Sequence, residues 1–408
     1  MIRALLALLV PAVASAEPVT FAQAVQRAVA HNPDRQVALQ EIARVEGLLA
    51  QATSVLLPQL GVSATYTRLE GDRLIMGRRV SAANAGVAQV NIDTPIVDLH
   101  AFAQRKRARD SVDVIAAQAE ATKRDIAIAT ARAYFTAYSS ARMVEIAEHA
   151  RDAARAQVEF ATERRKNGVG TELDVSRAEA ELAEDEAQIA QAETSKLRAE
   201  EALGIIIGSD QPASAEAEPD LGEPREGQGI ARRADVIAAQ RQLDAAHESR
   251  RLDWVDWVPT LRLTGDAFIG APQIDPIPRE GYELMLTLNV PFYDGGYRRG
   301  LHEVNRALEA EAVIRNHETT RQATSDVREA RQAVDKTRRA RDAARTAAQK
   351  AHQTLDLSNT GYHAGTATSL EVTTAQQTAL DADTRALIAE DDYRSAELDL
   401  LAATGAFP

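Results

Sequence analysis

The residues best placed for chemistry are two acids that occupy the same position in a motif written twice. Residues 168–182 read GVGTELDVSRAEAEL, and residues 365–379 read GTATSLEVTTAQQTA. Adding 197 to each number pairs Gly168 with Gly365, Thr171 with Thr368, Leu173 with Leu370, Asp174 with Glu371 and Val175 with Val372. A carboxylate in the first turn of a helix faces the positive end of the helix dipole, so the plainest role for Asp174 and Glu371 is to start a helix. Catalysis has no comparable footing. The chain contains no Gly-x-x-x-x-Gly-Lys-Ser/Thr, no His-Glu-x-x-His and no Gly-x-Ser-x-Gly. Its eight histidines are scattered, and His149, His247, His317 and His352 lack partners at ligand spacing, so solvated faces account for them. With no cysteine, disulfides, thiolate metal sites and a lipidated N-terminal cysteine are all absent. The chain reads as a non-enzyme with no metal site and no cofactor, and a net charge of -13 argues against a nucleic-acid partner.

The elements around the acids follow the same duplication. Hydrophobic period two marks four strands: Leu60, Val62, Ala64 and Tyr66; Ala88, Val90 and Ile92; Leu261, Leu263, Ala267 and Ile269; Tyr282, Leu284, Leu286, Leu288 and Val290. They form two hairpins, 58–95 and 259–291, whose turns fall at 70–83 and 270–279. Prolines 272, 276 and 278 bar helix from the second turn. Elsewhere the period lengthens. From Val112 to Ala154, apolar and small residues recur at steps of three and four, the seam of a left-handed coiled coil. Each copy then has a helix before its hairpin (33–57 and 234–258), a long helix (98–166 and 295–362) and a return helix (171–203 and 369–403). The first long helix spans about 100 Å at the usual rise per residue.

The two repeats occupy residues 17–207 and 232–408, joined by an acidic, Pro-rich and Gly-rich linker at 208–231. Residues 1–16, MIRALLALLVPAVASA, read as a cleavable signal peptide, which sends the chain out of the cytoplasm. No later segment has the roughly 18 apolar residues of a spanning helix, so entry into a membrane must be by strands. Strands of about ten residues fit a tilted crossing of an outer membrane; two surface hairpins on a soluble domain fit the same alternation. If the strands do meet lipid, four cannot close a barrel and open edges are not tolerated there, so closure needs several copies of the chain. Two copies give eight strands and three give twelve.

The duplicated order of helix, Leu-Pro or Val-Pro strand start, hairpin, Pro-x-x-Asp exit ("PIVD", "PFYDGG"), long helix, Gly-rich turn and "LDV" or "LEV" resembles the TolC-type outer membrane efflux proteins, over nearly the whole mature chain. The resemblance implies a mainly helical fold with membrane strands. Duplicated long-helix repeats would build a periplasmic α-helical barrel, and four strands per chain would contribute to a homotrimeric, twelve-stranded outer-membrane β-barrel. It also implies a periplasmic adaptor protein as docking partner, an inner-membrane pump reached through it, and outer-membrane lipid around the strands. Such a protein is the exit duct of a tripartite efflux or type I secretion system. The turns at Gly168 and Gly365 would be the periplasmic tip, with Leu173, Val175, Leu370 and Val372 flanking the adaptor grooves. Glu371, with Asp174 and Thr374, would stand at the pore constriction, Glu371 as a threefold acidic ring. Relatives carry a second acid where this chain has Thr374 and a basic residue where it has Ala367, so gate contacts must differ. Trp254, Trp257, Tyr66 and Tyr282 are candidate membrane-interface aromatics, and ordinary packing accounts for them equally well. The alternative is a soluble periplasmic coiled-coil scaffold or adaptor.

Overall fold

The computed structural model describes residues 16–221, 229–273 and 278–407. The signal-peptide expectation therefore falls, Ala16 apart, outside the described residues. In chain order the elements are β1 (Glu17–Val19), α1 (Phe21–His31), α2 (Pro33–Ser54), β2 (Gln59–Arg68), β3 (Arg73–Ile75), β4 (Arg78–Ser81), β5 (Asn84–Val97), α3 (Leu99–Lys166) and α4 (Glu172–Ile206). The second half supplies β6 (Ala213–Ala215), α5 (Ala234–Arg251), β7 (Thr260–Ala271), β8 (Glu280–Asn289), α6 (Tyr297–Ala364) and α7 (Ser369–Ala403). The chain divides into two compact units, one of Met1–Ala38, Ala119–Val236 and Thr320–Pro408, the other of Leu39–Gln118 and Ile237–Thr319.

The second unit is organised by a four-stranded antiparallel sheet in the order β2-β5-β7-β8. Directly opposite residues in such a sheet share a face. Leu60, Val62, Ala64 and Tyr66 stand beside Ile92, Val90, Ala88 and Gly86. Those in turn meet Gly265, Ala267, Ile269 and Ala271, and Leu261, Leu263, Gly265 and Ala267 meet Leu288, Leu286, Leu284 and Tyr282. One face is thus apolar from edge to edge, and it is bare: Val62 is 78% exposed and Leu286 63%. The opposite face carries Ser63, Thr65, Gln89, Asn91, Asp93, Arg262, Asp266, Glu283 and Thr287, interrupted by Val87, Phe268 and Met285, with Arg262 bonded to Asp93 at 2.6 Å. Among the described residues, neither β2 nor β8 has a strand on its outer side.

Two departures from the sequence expectation occur in this unit. The turn at 70–83 contains a small hairpin of its own, β3 with β4. Its two-residue turn has positive φ at both Met76 (49°) and Gly77 (78°), the backbone of a type I′ turn. The helix expected at 234–258 ends at Arg251, and a single 3-10 turn, Asp253–Trp257, follows. The pull of Asp253 explains the break: its buried carboxylate accepts from Asn305 Nδ2 and pairs with His302 Nδ1 at 2.8 Å, both on α6.

That 3-10 turn carries Trp254 and Trp257, 59% and 61% exposed, just before β7. Arg298, on the first turn of α6, lays its guanidinium 4.0 Å from the Trp257 ring centroid. It also donates to Asp294 at 2.6 Å and to the Pro291 carbonyl at 3.0 Å. Asp294 caps α6 by accepting from the backbone of Gly296 and Arg298, and the Arg298 side chain above all pulls its carboxyl down to about 2. Arg298→Ala removes stacking and the carbonyl bond together, and about 2 kcal/mol of stability should go with them. The midpoint of urea unfolding in detergent micelles checks this; an unchanged midpoint would make the junction ornamental.

The first unit has a different core. Tyr134, Leu203, Ile207 and Leu398 are fully buried there with Val19, Ala24, Ala28 and Phe135. Phe21 meets Tyr134 edge-on at 5.4 Å and stacks on Phe135 at 5.9 Å. Strand β1 pairs in parallel with β6, Glu17 opposite Ala213 and Val19 opposite Ala215, which fixes residues 17–19 against the segment after α4. The Tyr134 hydroxyl donates to the Ala217 carbonyl at 2.8 Å. Along this stretch of α3 the buried face is broader than the expected seam: Ala127, Ala131, Tyr134 and Phe135 are buried, while Ala129 and Thr136 are exposed.

Candidate functional site: the paired helical turns

Both turns belong to the first unit, and their backbones explain why the motif is repeated. Helix α3 ends by folding its last carbonyls back onto the turn: Gly168 N donates to Arg165 O, and Val169 N and Gly170 N both donate to Arg164 O. At the end of α6, Gly365 N donates to Tyr362 O, and Thr366 N and Ala367 N donate to Gly361 O. Gly168 (φ 74°) and Gly365 (φ 76°) take the left-handed conformation that ends such helices, where a side chain would be strained.

The return helices start identically. Thr171 accepts from Asp174 N at 3.2 Å, and Asp174 accepts from Thr171 N at 3.1 Å and from its hydroxyl at 2.8 Å. Thr368 accepts from Glu371 N at 3.3 Å, and Glu371 accepts from Thr368 N at 2.6 Å and from its hydroxyl at 3.0 Å. Each is a capping box, which satisfies backbone donors the helix cannot satisfy itself. Helix starting is thus common to both acids and does not distinguish Asp174 from Glu371. Glu371 is also exposed, as is Thr374 one turn on, so its carboxylate remains open to ions.

The Thr368 bonds hold the Glu371 carboxyl below its ordinary value. Because the folded value is the lower one, the cap's contribution is complete above the unfolded value of about 4.5 and is lost as pH falls through the folded one. Amide exchange should therefore show the first turn of α7 protected at neutral pH and fraying in mild acid, with Thr368→Ala fraying at both. Protection that ignores both changes would contradict the capping role.

The four apolar residues expected at the adaptor grooves separate into two pairs. Leu173 and Leu370 are 57% and 55% exposed and present an open surface at the turns, beside Val169 at 67%. Val175 and Val372 are buried, at 4% and 0%. Within the chain they pack between helices rather than face outward: Val175 packs with Ala161, Ala178 and Val158. The physical reason is register, since residues two apart on a helix face away from each other.

A cluster that the sequence did not disclose ties the turns together. Arg164 donates to the Tyr362 carbonyl at 2.8 Å and lies 4.6 Å from the centroid of the Tyr362 ring. Phe160 meets Tyr362 edge-on at 5.4 Å and His363 at 4.0 Å. Tyr362 is buried, and burial, with the nearby Asp174 charge, raises its hydroxyl above the usual value. The repeat held a signal for this: adding 197 to 164 gives Gly361, so a cation in one copy faces a glycine in the other. A Cβ on Gly361 would lie 3.0 Å from the Ala367 Cβ, so a side chain there would make the second turn give by a few tenths of an ångström.

The aromatic candidates occupy the two ends of the sheet in the second unit. Tyr66 and Tyr282 lie on the apolar face near the hairpin turns, 69% and 81% exposed, with the Tyr66 hydroxyl donating to Asn84 at 2.9 Å. The tryptophans precede the other end of β7.

With the sheet, the paired turns and the duplicated helices described, the chain can be compared with known proteins. Residues 24–209 and 227–406 match the outer membrane efflux protein family. The chain belongs to that family. It is 25% identical to outer membrane protein OprJ of Pseudomonas aeruginosa, across 90% of this chain and 79% of that one. Identity to outer membrane protein TolC of Escherichia coli is 24%, across 94% and 81%. The CmeC outer membrane channel of Campylobacter jejuni superimposes with a TM-score of 0.83 at 18% identity, covering 95% of this chain and 86% of that one. As a member of this family the protein is an outer-membrane efflux channel component of a Gram-negative cell, reaching into the periplasm and serving with other pump components. The family is one of channels. A soluble scaffold fits less well.

Proposed function

We propose that three copies of the chain close their sheets into one twelve-stranded barrel, and that their helices continue it as a periplasmic tunnel through which an inner-membrane pump discharges its cargo. The observation that carries this reading is the sheet. Its edges, β2 and β8, are unpaired, and its two faces are of opposite character. In lipid an open edge strands backbone donors and acceptors, so β8 of one copy must pair with β2 of the next. The apolar face then meets lipid and the polar face lines the bore, with the tyrosines and tryptophans at the two interfaces.

At the other end, the exposed Leu173, Val169 and Leu370 offer the surface for a periplasmic adaptor. Glu371, repeated by threefold symmetry, forms an acidic ring at the narrow end and attracts cations. Asp174 holds the matching place in the first turn of α4, and Thr374 lies one turn further along α7. A lipid-bilayer conductance measurement tests the ring: Glu371→Gln should bring a cation-preferring channel close to non-selective while Asp174→Asn changes it less. Unchanged ion preference in Glu371→Gln would remove the ring from this reading.

A further inference from the structure

Away from the turns, the first unit contains a cavity of about 300 Å³ where α3, α4, α6 and α7 come together. That volume is at the lower end of pockets that hold small organic ligands. Much of its wall is hydrocarbon, with Ile146 from α3, Leu355 from α6 and Leu380 from α7. Against this wall α4 sets Glu181 and Asp185, one helical turn apart and on the same side.

Asp185 is the unusual member. It is only 4% exposed, and among the described residues it has no hydrogen-bond or ion-pair partner. Its neighbours are not in that position: Glu181 accepts from Gln377 Nε2 at 3.0 Å, and Asp383 is engaged by His352 Nε2 at 2.9 Å. Burial raises both carboxyls, helped at Glu181 by the charge of Asp185 and at Asp185 by that of Glu184. Asp185, nine-tenths buried, meets water through the pocket it lines, and a cationic ligand there supplies the partner that the protein does not. No lysine or arginine lines the cavity among the described residues. Nor, among those residues, do three His, Cys, Asp or Glu side chains converge as a metal ion requires.

We propose that this four-helix pocket binds a small organic monocation, an ammonium group on an apolar body, with Asp185 as its charge partner. The ammonium sits between Asp185 and Glu181, and the body lies against Ile146, Leu355 and Leu380. The pocket is formed by one chain, so the proposal stands whether or not three chains make the duct.

Isothermal titration of the detergent-purified protein with 1-naphthylmethylamine, near pH 8 where the amine is charged, tests it. The control ligand is 1-naphthylmethanol, which has the same ring system without the charge. One amine should bind per chain, at least about tenfold more tightly than the alcohol. Asp185→Asn keeps the side-chain shape and should cost the amine about tenfold while leaving the alcohol unchanged. Glu181→Gln, at a less buried position, should act in the same direction. Ala153→Leu, which narrows the cavity, should weaken both ligands. Amine affinity should also fall as pH is lowered, because protons compete for Asp185 and Glu181. His149 on α3, His352 on α6 and Asp383 on α7 line the same space, and Glu184 on α4 lies near enough for its charge to act on both carboxyls. Equal affinity for amine and alcohol, or full amine affinity in both carboxylate variants, would mean only apolar or micellar partition and would overturn the proposal.

Discussion

Replacing Leu286 by lysine should all but abolish recovery of the protein from the outer membrane, while lysine at the next residue, Thr287, should leave assembly intact. The two side chains differ only in the face they occupy. Leu286 lies opposite Leu263 in the middle of the bare apolar face, and Thr287 lies opposite Arg262 on the polar face. A lysine facing the bilayer interior costs about 2–4 kcal/mol, and closure by three chains applies that cost three times. On the polar side a lysine remains in water and changes at most the ion preference of the bore. Quantifying each variant in outer-membrane fractions against wild type decides the matter. Normal insertion of Leu286→Lys would mean that this face never meets lipid.

The second large effect is expected at the turns. Val372 is fully buried, so Val372→Asp places an unpaired carboxylate in the packing between helices and should cost roughly 3–5 kcal/mol locally. The first turns of α7 should then open, with proteolytic nicking at 362–372 and loss of efflux, although the barrel still inserts. Leu370→Asp, two residues away and 55% exposed, should change stability by less than about 0.5 kcal/mol. It should instead weaken co-precipitation of the periplasmic adaptor, with protease resistance unchanged. If both variants behave alike, the division between a buried wedge and an exposed docking surface is wrong.

The sequence motif groups leucines and valines that the structure separates by burial. Leu173 and Val175, or Leu370 and Val372, are equally apolar and sit in one short motif, and composition alone groups them. The spacing did contain the answer: Val372, Ala375 and Ala379 follow the helical seam, as do Val175 and Ala178, and all five are buried. Leu173 and Leu370 are out of step with it. The four strands were legible because their apolar alternation matches the period of the sheet and recurs in both copies. The β3–β4 hairpin was not, because Met76 is an unusual residue for the first position of a type I′ turn and only Gly77 signals it. The break before Trp254 was hidden too. It depends on Asp253 reaching Asn305, a partner 52 residues away, and no local propensity encodes that. Arg164 and Tyr362 also meet only in three dimensions, from different copies of the repeat.

Closure between chains is the claim on which the duct, the acidic ring and the lipid-facing leucines all depend. Its most direct test is the native mass of the particle extracted by detergent from outer membranes, measured with the bound detergent subtracted. The account predicts the mass of three mature chains. A single chain recovered from the soluble periplasm would leave β2 and β8 unpaired in water and would contradict it.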